Sequence, residues 1–195
     1  MHSLRHKQSA ARRFLLGAVG AVLAGGLTLR AEPDPALEHR VKAAFLYNFA
    51  RFVDWPTNAF ADADAPFVIG VFGDESMAQA LEQTVKGKSI GNRAIQTRRI
   101  PDATRINPCQ ILFVAQSKTQ QVARVLAAVG SAHVLLVGES PGFVAAGGAI
   151  GFTKDEGRVR FEANTAAAER ASLKISSKLL RLAISVVPSP RRDGK

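Results

Sequence analysis

From residue 37 onward the apolar positions fall first into a helical rhythm and then into short continuous runs. Leu37, Val41, Phe45, Phe49 and Phe52 recur three or four residues apart, a spacing that lines one face of an α-helix and predicts that this face looks into the core. Asp34 ahead of Pro35 supplies the start: a carboxylate able to accept from the first free N–H groups, and a proline where its missing donor is harmless. Trp55-Pro56 supplies the stop, because the residue before a proline avoids the helical region. Phe67 to Phe72 is then apolar without interruption between Pro66 and Gly73-Asp74, the pattern of a strand covered on both faces. Gln110 to Ala115 and His133 to Val137 read the same way, and a weaker strand is expected near Ala94 to Ile100. Between them the sequence predicts a short helix from Asp74 to about Thr84, and a second opened by Ser117 and Gln120 as a capping box and closed at Gly130. Ala149 to Thr153 and Arg158 to Ala163, separated by Lys154-Asp155-Glu156-Gly157, read as a hairpin. The end is expected to be helical, from Asn164 as a cap and again from Ser176, with Leu179, Leu180, Leu182, Ala183 and Val186 on it.

Apolar strands alternating with helices predict an α/β fold: a single three-layer domain, its sheet mostly parallel with an antiparallel hairpin at one edge, flanked by helices. The domain is read as residues 32–187, preceded by an export signal over 1–31 and followed by a basic flexible tail over 188–195. With 47% hydrophobic and 22% charged residues, the chain is neither disordered nor collagen-like.

The formal charge of +10 changes meaning once it is located. Residues 1–31 carry Arg5, Lys7, Arg12, Arg13 and Arg30 with no acid, and the tail carries Arg191, Arg192 and Lys195 against Asp193, which leaves +3 on residues 32–190. No basic stripe interleaved with aromatics remains, so nucleic acid is not the expected partner. The basic start followed by the uncharged run Phe14 to Leu29 and by Leu29-Arg30-Ala31 has the layout of an export signal cleaved after Ala31. An uncleaved anchor is the alternative. Arg12-Arg13-Phe14-Leu15-Leu16 resembles a twin-arginine signal with its pair one residue too close, so the Sec and twin-arginine routes both stay open. Either delivers the protein outside the cytoplasm, and with no Cys in the segment it is not lipidated.

The inventory for catalysis is thin. After the signal only His39 and His133 remain, without metal-ligand spacing and without a cysteine cluster, so no metal is expected. Gly87-Lys88-Ser89 has the end of a phosphate loop, but Glu82 stands where that loop needs its first glycine. Gly147-Gly148-Ala149-Ile150-Gly151 lacks dinucleotide spacing and precedes a strand, so these glycines read as a bend into the hairpin. Asp62 and Asp64 lie in a polar loop and read as solvated. Cys109 stands alone at the mouth of a buried strand and reads as a small core residue. Only His133 is placed to be its basic neighbour. No catalytic residue and no cofactor is expected.

A more specific signal comes from longer blocks. Val41-Lys42-Ala43-Ala44-Phe45-Leu46-Tyr47-Asn48-Phe49-Ala50-Arg51-Phe52-Val53-Asp54-Trp55-Pro56 resembles the opening signature of the YfiR-like family of periplasmic regulatory proteins. Cys109 to Val114, Gly147 to Phe152, and Arg158 to Asn164 running into Leu173 to Ala183 match further blocks in the same order. The resemblance implies a periplasmic, non-enzymatic regulator that binds and represses the periplasmic part of an inner-membrane signalling enzyme, a diguanylate cyclase above all, and so acts in cyclic-di-GMP signalling and biofilm control. It implies a homodimer and an outer-membrane lipoprotein that relieves repression. The family's best understood member has disulfides; with Cys109 alone, redox control by an internal disulfide does not carry over. A periplasmic small-ligand binding protein serving a sensor histidine kinase is the alternative.

Within the hairpin, Val159, Phe161 and Ala163 alternate with Arg158, Arg160 and Glu162, so one row should face the core and the other solvent. The polar row with Arg160 and Glu162, Asn164 at the following turn, and Arg51 near the end of the first helix are the expected partner-interface residues.

Overall fold

The computed structural model describes residues 34–189 apart from 104, 105 and 107. The expected export signal and residues 190–195 of the expected tail lie outside the described residues. Helix α1 (Pro35–Phe52) begins as the sequence predicts, with the Asp34 side chain accepting from the N–H of Ala36 at 2.9 Å. It passes into a two-residue strand, β1 (Val53–Asp54), and then come β2 (Phe67–Phe72), α2 (Glu75–Val85), β3 (Ser89–Ile90), β4 (Arg93–Ile100) and β5 (Ile111–Val114). A 3₁₀ segment, Gln116–Gln121, leads into α3 (Val122–Val129), followed by β6 (Leu135–Gly138), β7 (Ile150–Asp155) and β8 (Arg158–Asn164). The chain closes with α4 (Thr165–Arg170), β9 (Lys174–Ile175), α5 (Ser177–Leu180) and β10 (Ser185–Val187).

The main sheet has the order β10-β8-β7-β6-β5-β2-β4-β3, and the short pair β1-β9 stands apart from it. All its neighbours run parallel except the β7-β8 hairpin and the β3-β4 pair. The fold is thus the expected α/β type with a mostly parallel sheet between helices. Two cores follow from sheet alternation. Ile69, Ile111, Phe113, Leu135 and Phe161 meet α1, α2, α4 and α5 on one face; Val68, Leu112, Val114 and Leu136 meet α3 and Phe143 on the other. Gln110, buried at the entry to β5, ties the sheet to what precedes it, accepting from Val68 N–H at 2.8 Å and donating to the Ala59 carbonyl at 2.7 Å.

Four expectations are corrected. The apolar stripe of α1 is only partly its buried face: Phe49 is fully buried and Phe45 and Phe52 pack against the core, while the first turns lie at the surface. Ala43, Leu46, Phe49 and Ala50 are inside, whereas Leu37 is 53% exposed and Val41, Phe45 and Phe52 are half-buried. The Ser117 hydroxyl caps nothing; it donates to the Gly73 carbonyl, and a 3₁₀ turn opens the helix instead. The last apolar stretch is not all helical, since Val186 lies on β10, where β-branched Ile184, Val186 and Val187 favour extension and Pro188 stops it. Finally, the hairpin does not form the edge. Parallel β10 covers β8 from Glu162 to Asn164, leaving only the half from Arg158 free. The hairpin turn itself is tighter than expected, formed by Glu156 and Gly157 with φ of 48° and 76°, the left-handed values of a two-residue turn that matches strand twist.

Candidate functional site

The most polar interior of the domain lies at the carboxyl ends of the central strands, where open α/β sheets characteristically present their crevice. Gln116 leaves β5 and Glu139 leaves β6 at this end, and the first turns of α1 lie across them. Lys42 sits here with only 7% of its surface exposed. Its Nζ donates to Glu139 Oε2 at 2.5 Å and meets Glu38 Oε1 at 2.6 Å. Glu139 also accepts from the Gln116 N–H at 2.9 Å, and the other oxygen of Glu38 takes Lys154 at 2.8 Å. Two cations and two anions therefore compensate one another around a cavity of about 350 Å³ that Pro141, Phe152 and Thr153 also line.

Burial works against the Lys42 charge, but the hydrogen bonds to Glu139 and Glu38 outweigh it and its pKa is raised. Glu38 is the mirror case: burial pushes its carboxyl up, while Lys154 and Lys42 pull it net below its usual value. One turn along, His39 Nε2 lies 3.2 Å from Asp74, the residue that caps α2. These contacts clamp α1 to the strand ends. Sequence reading passed over Lys42 and Glu139 as a pair because 97 positions separate them; the available signal was Glu38 one turn before Lys42 on the inward side of an amphipathic helix.

Chemistry of the nucleophilic kind finds no support. Cys109 is buried beside Gly70 in the second core, and burial pushes its thiol up to about 12 against the pull of Arg98 and the Gly70 backbone. His133, which borders the same small cavity, directs Nδ1 to the Ala171 carbonyl at 3.0 Å. A thiol held neutral is a poor nucleophile. The native protein should therefore leave Cys109 unmodified by a disulfide reagent at pH 8 and react fully once denatured. Cys109→Ser should lower stability by about 1 kcal/mol. Rapid native labelling would contradict this. Asp62 accepts from the Asp64 N–H at 2.9 Å in an exposed turn. Among the described residues no three His, Cys, Asp or Glu side chains are grouped to hold a metal ion.

The structure separates the four expected interface residues. Asn164 is 8% exposed and its side chain is spent inside, its Oδ1 capping α4 through Ala167 N–H at 2.9 Å and its Nδ2 donating to the Val144 carbonyl at 3.3 Å. As a surface contact it is corrected: the turn it occupies is a helix start, which uses the amide. Arg51 is exposed on α1, its guanidinium 5.8 Å from the Tyr47 ring and 5.7 Å from that of Phe52. Arg160 and Glu162 are half-buried and alternate with Val159, Phe161 and Ala163, so they leave β8 on the sheet face opposite α1. Arg51 and the β8 row thus belong to different faces.

A model of the YfiR/HmsC-like family matches residues 39–184, from the second turn of α1 to the entry of β10. The chain belongs to the YfiR/HmsC-like family. That family is one of regulators of cyclic-di-GMP signalling in general. No curated protein matches it. Two solved structures share its fold at 11% identity: a conserved domain protein of Vibrio cholerae O1 biovar El Tor, with a TM-score of 0.53, and an ABC domain of Streptococcus pneumonia in complex with L-Trp, with 0.51. They cover 76% and 77% of this chain, which spans 60% of each. Among the described residues no helix is long and apolar enough to cross a membrane.

Proposed function

We propose that this protein is exported to the periplasm, binds the periplasmic part of an inner-membrane diguanylate cyclase, and biases that enzyme toward its inactive arrangement. The family match over residues 39–184 carries the reading; the leader-like residues 1–31 and the absence of any assembled nucleophile among the described residues support it. A regulator without chemistry acts by binding one conformation of its partner better than another. Moving a partner from mostly active to mostly inactive takes about 5 kcal/mol of such preference, which demands a specific interface with a desolvated centre. We place part of that interface on the β8 row. An Arg160→Glu, Glu162→Lys double variant should raise cyclic-di-GMP in cells relative to the parent protein while its melting temperature changes little. Full repression by the double variant would move the interface elsewhere.

A second reading has one observation in its favour, the cavity of about 350 Å³ at the strand ends beside Lys42. On that reading the protein is a periplasmic ligand sensor that serves a sensor histidine kinase; one fold relative was solved with L-Trp. A rise in melting temperature with free amino acids, no partner present, would favour it.

A further inference from the structure

The first half of the α1 stripe stays at the surface, with Leu37 exposed and Val41 and Phe45 half-buried. A groove of about 430 Å³, its exposed walls mostly apolar, runs between Leu37, Val41 and Phe45 of α1 and the Arg158–Arg160 end of β8, where Val159 is turned toward α1 and the two arginines flank it on the other sheet face. Exposed apolar surface of this kind on a soluble domain marks a contact site. Its charges are unbalanced. Asp34 at the lip caps α1, and Glu38 is held by Lys42 and Lys154, whereas neither Arg158 nor Arg160 meets a carboxylate among the described residues. The Arg160 Nε is moreover buried with no hydrogen-bond acceptor, and a buried donor left unmade is unfavourable. The backbone beside it is also open: β10 pairs with β8 only from Glu162 on, so the outer edge at Val159 faces no strand among the described residues.

We propose that an extended, apolar, acid-bearing segment of the signalling partner adds to the free half of β8, seating its apolar side chains against Leu37, Val41 and Phe45 and a carboxylate on Arg160. Main-chain pairing at a sheet edge supplies affinity, and the groove and the arginine supply choice of partner. This rests on the regulator reading above.

The test is calorimetric titration of the purified protein with the periplasmic segment of an inner-membrane diguanylate cyclase from the same organism. Leu37→Asp and Arg160→Gln should each weaken binding about tenfold or more. Arg124→Gln, exposed on α3 across the sheet, should not. Leu37→Asp should melt with the parent protein, since Leu37 is already 53% exposed. If the parent protein binds and both groove variants bind equally well, the groove assignment is wrong and the regulator reading stands; if the parent protein does not bind, both fail. Sedimentation completes the set: a dimer that Leu37→Asp converts to monomer would show that a second copy fills the groove, which also overturns the proposal.

Discussion

Gly148→Ala should destabilise the domain by about 3 kcal/mol, a loss at the upper end for added core volume. The glycine is not there for its backbone freedom. A Cβ at position 148 would stand 2.1 Å from Phe143 Cε1 and 2.3 Å from its Cδ1, and one at Gly138 would stand 2.4 Å from the other side of the same ring. Phe143, 2% exposed, is wedged between two residues that have no side chain, so the ring cannot yield to one without striking the other. At roughly 2–4 °C per kcal/mol for a chain of this size, the melting temperature should fall by about 6–12 °C. Phe143→Ala alone leaves a hole in the second core and should also lose about 3–5 kcal/mol. The double variant should be much less destabilised than the two losses added together, because the alanine methyl then enters the space the ring vacates. Strict additivity would mean that the glycine and the ring do not constrain each other.

Lys42→Met should lose about 3 kcal/mol at neutral pH, because it removes the shared cation and leaves Glu38 and Glu139 as poorly solvated carboxylates. Their side chains are 19% and 14% exposed, so water screens little of the loss. In the parent protein, Glu38 titrates below its ordinary 4.5, so its contribution is present above that pH and is lost as pH falls through the folded value. Lys42 titrates above 10.5, so its contribution is complete below that pH and is lost as pH rises through the folded value. The two signs give the cluster a plateau between those limits. The variant should behave differently on acidification: once Glu38 protonates it no longer needs a cation, so the deficit against the parent protein should shrink as pH drops toward 4. Chemical denaturation at pH 7.5 and pH 4 measures it. A deficit unchanged between the two would contradict the cluster's role.

Sheet and hairpin were legible because continuous apolar runs and two-residue alternation are local signals. Phe67–Phe72 needs only itself to announce a doubly covered strand. What was illegible depends on partners far along the chain. β1 and β9 are two residues each and exist because Val53 meets Ile175 and Asp54 meets Lys174; β10 exists because β8 offers an edge. The spacing of large apolar residues on α1 points to Phe49 and its flanks Phe45 and Phe52, but says nothing of Ala43 and Ala50, whose small side chains are buried beside them. The glycines at 148 and 151 look like bend residues in the sequence, yet Gly148 makes room for the Phe143 ring and Gly151 for Val144. Of the expected interface residues, the alternation of β8 puts Arg160 and Glu162 on the face away from Phe161 and Ala163, where both are half-buried, but the same pattern says nothing of Asn164, whose cap bond decides its burial.

The most direct measurement is stoichiometric binding between the purified protein and the periplasmic segment of an inner-membrane diguanylate cyclase, with the cyclase activity of the full-length enzyme followed in parallel. Regulation by differential affinity predicts saturable binding together with a fall in cyclase activity over the same concentration range. Saturable binding with cyclase activity unchanged, or no binding at all, would contradict it.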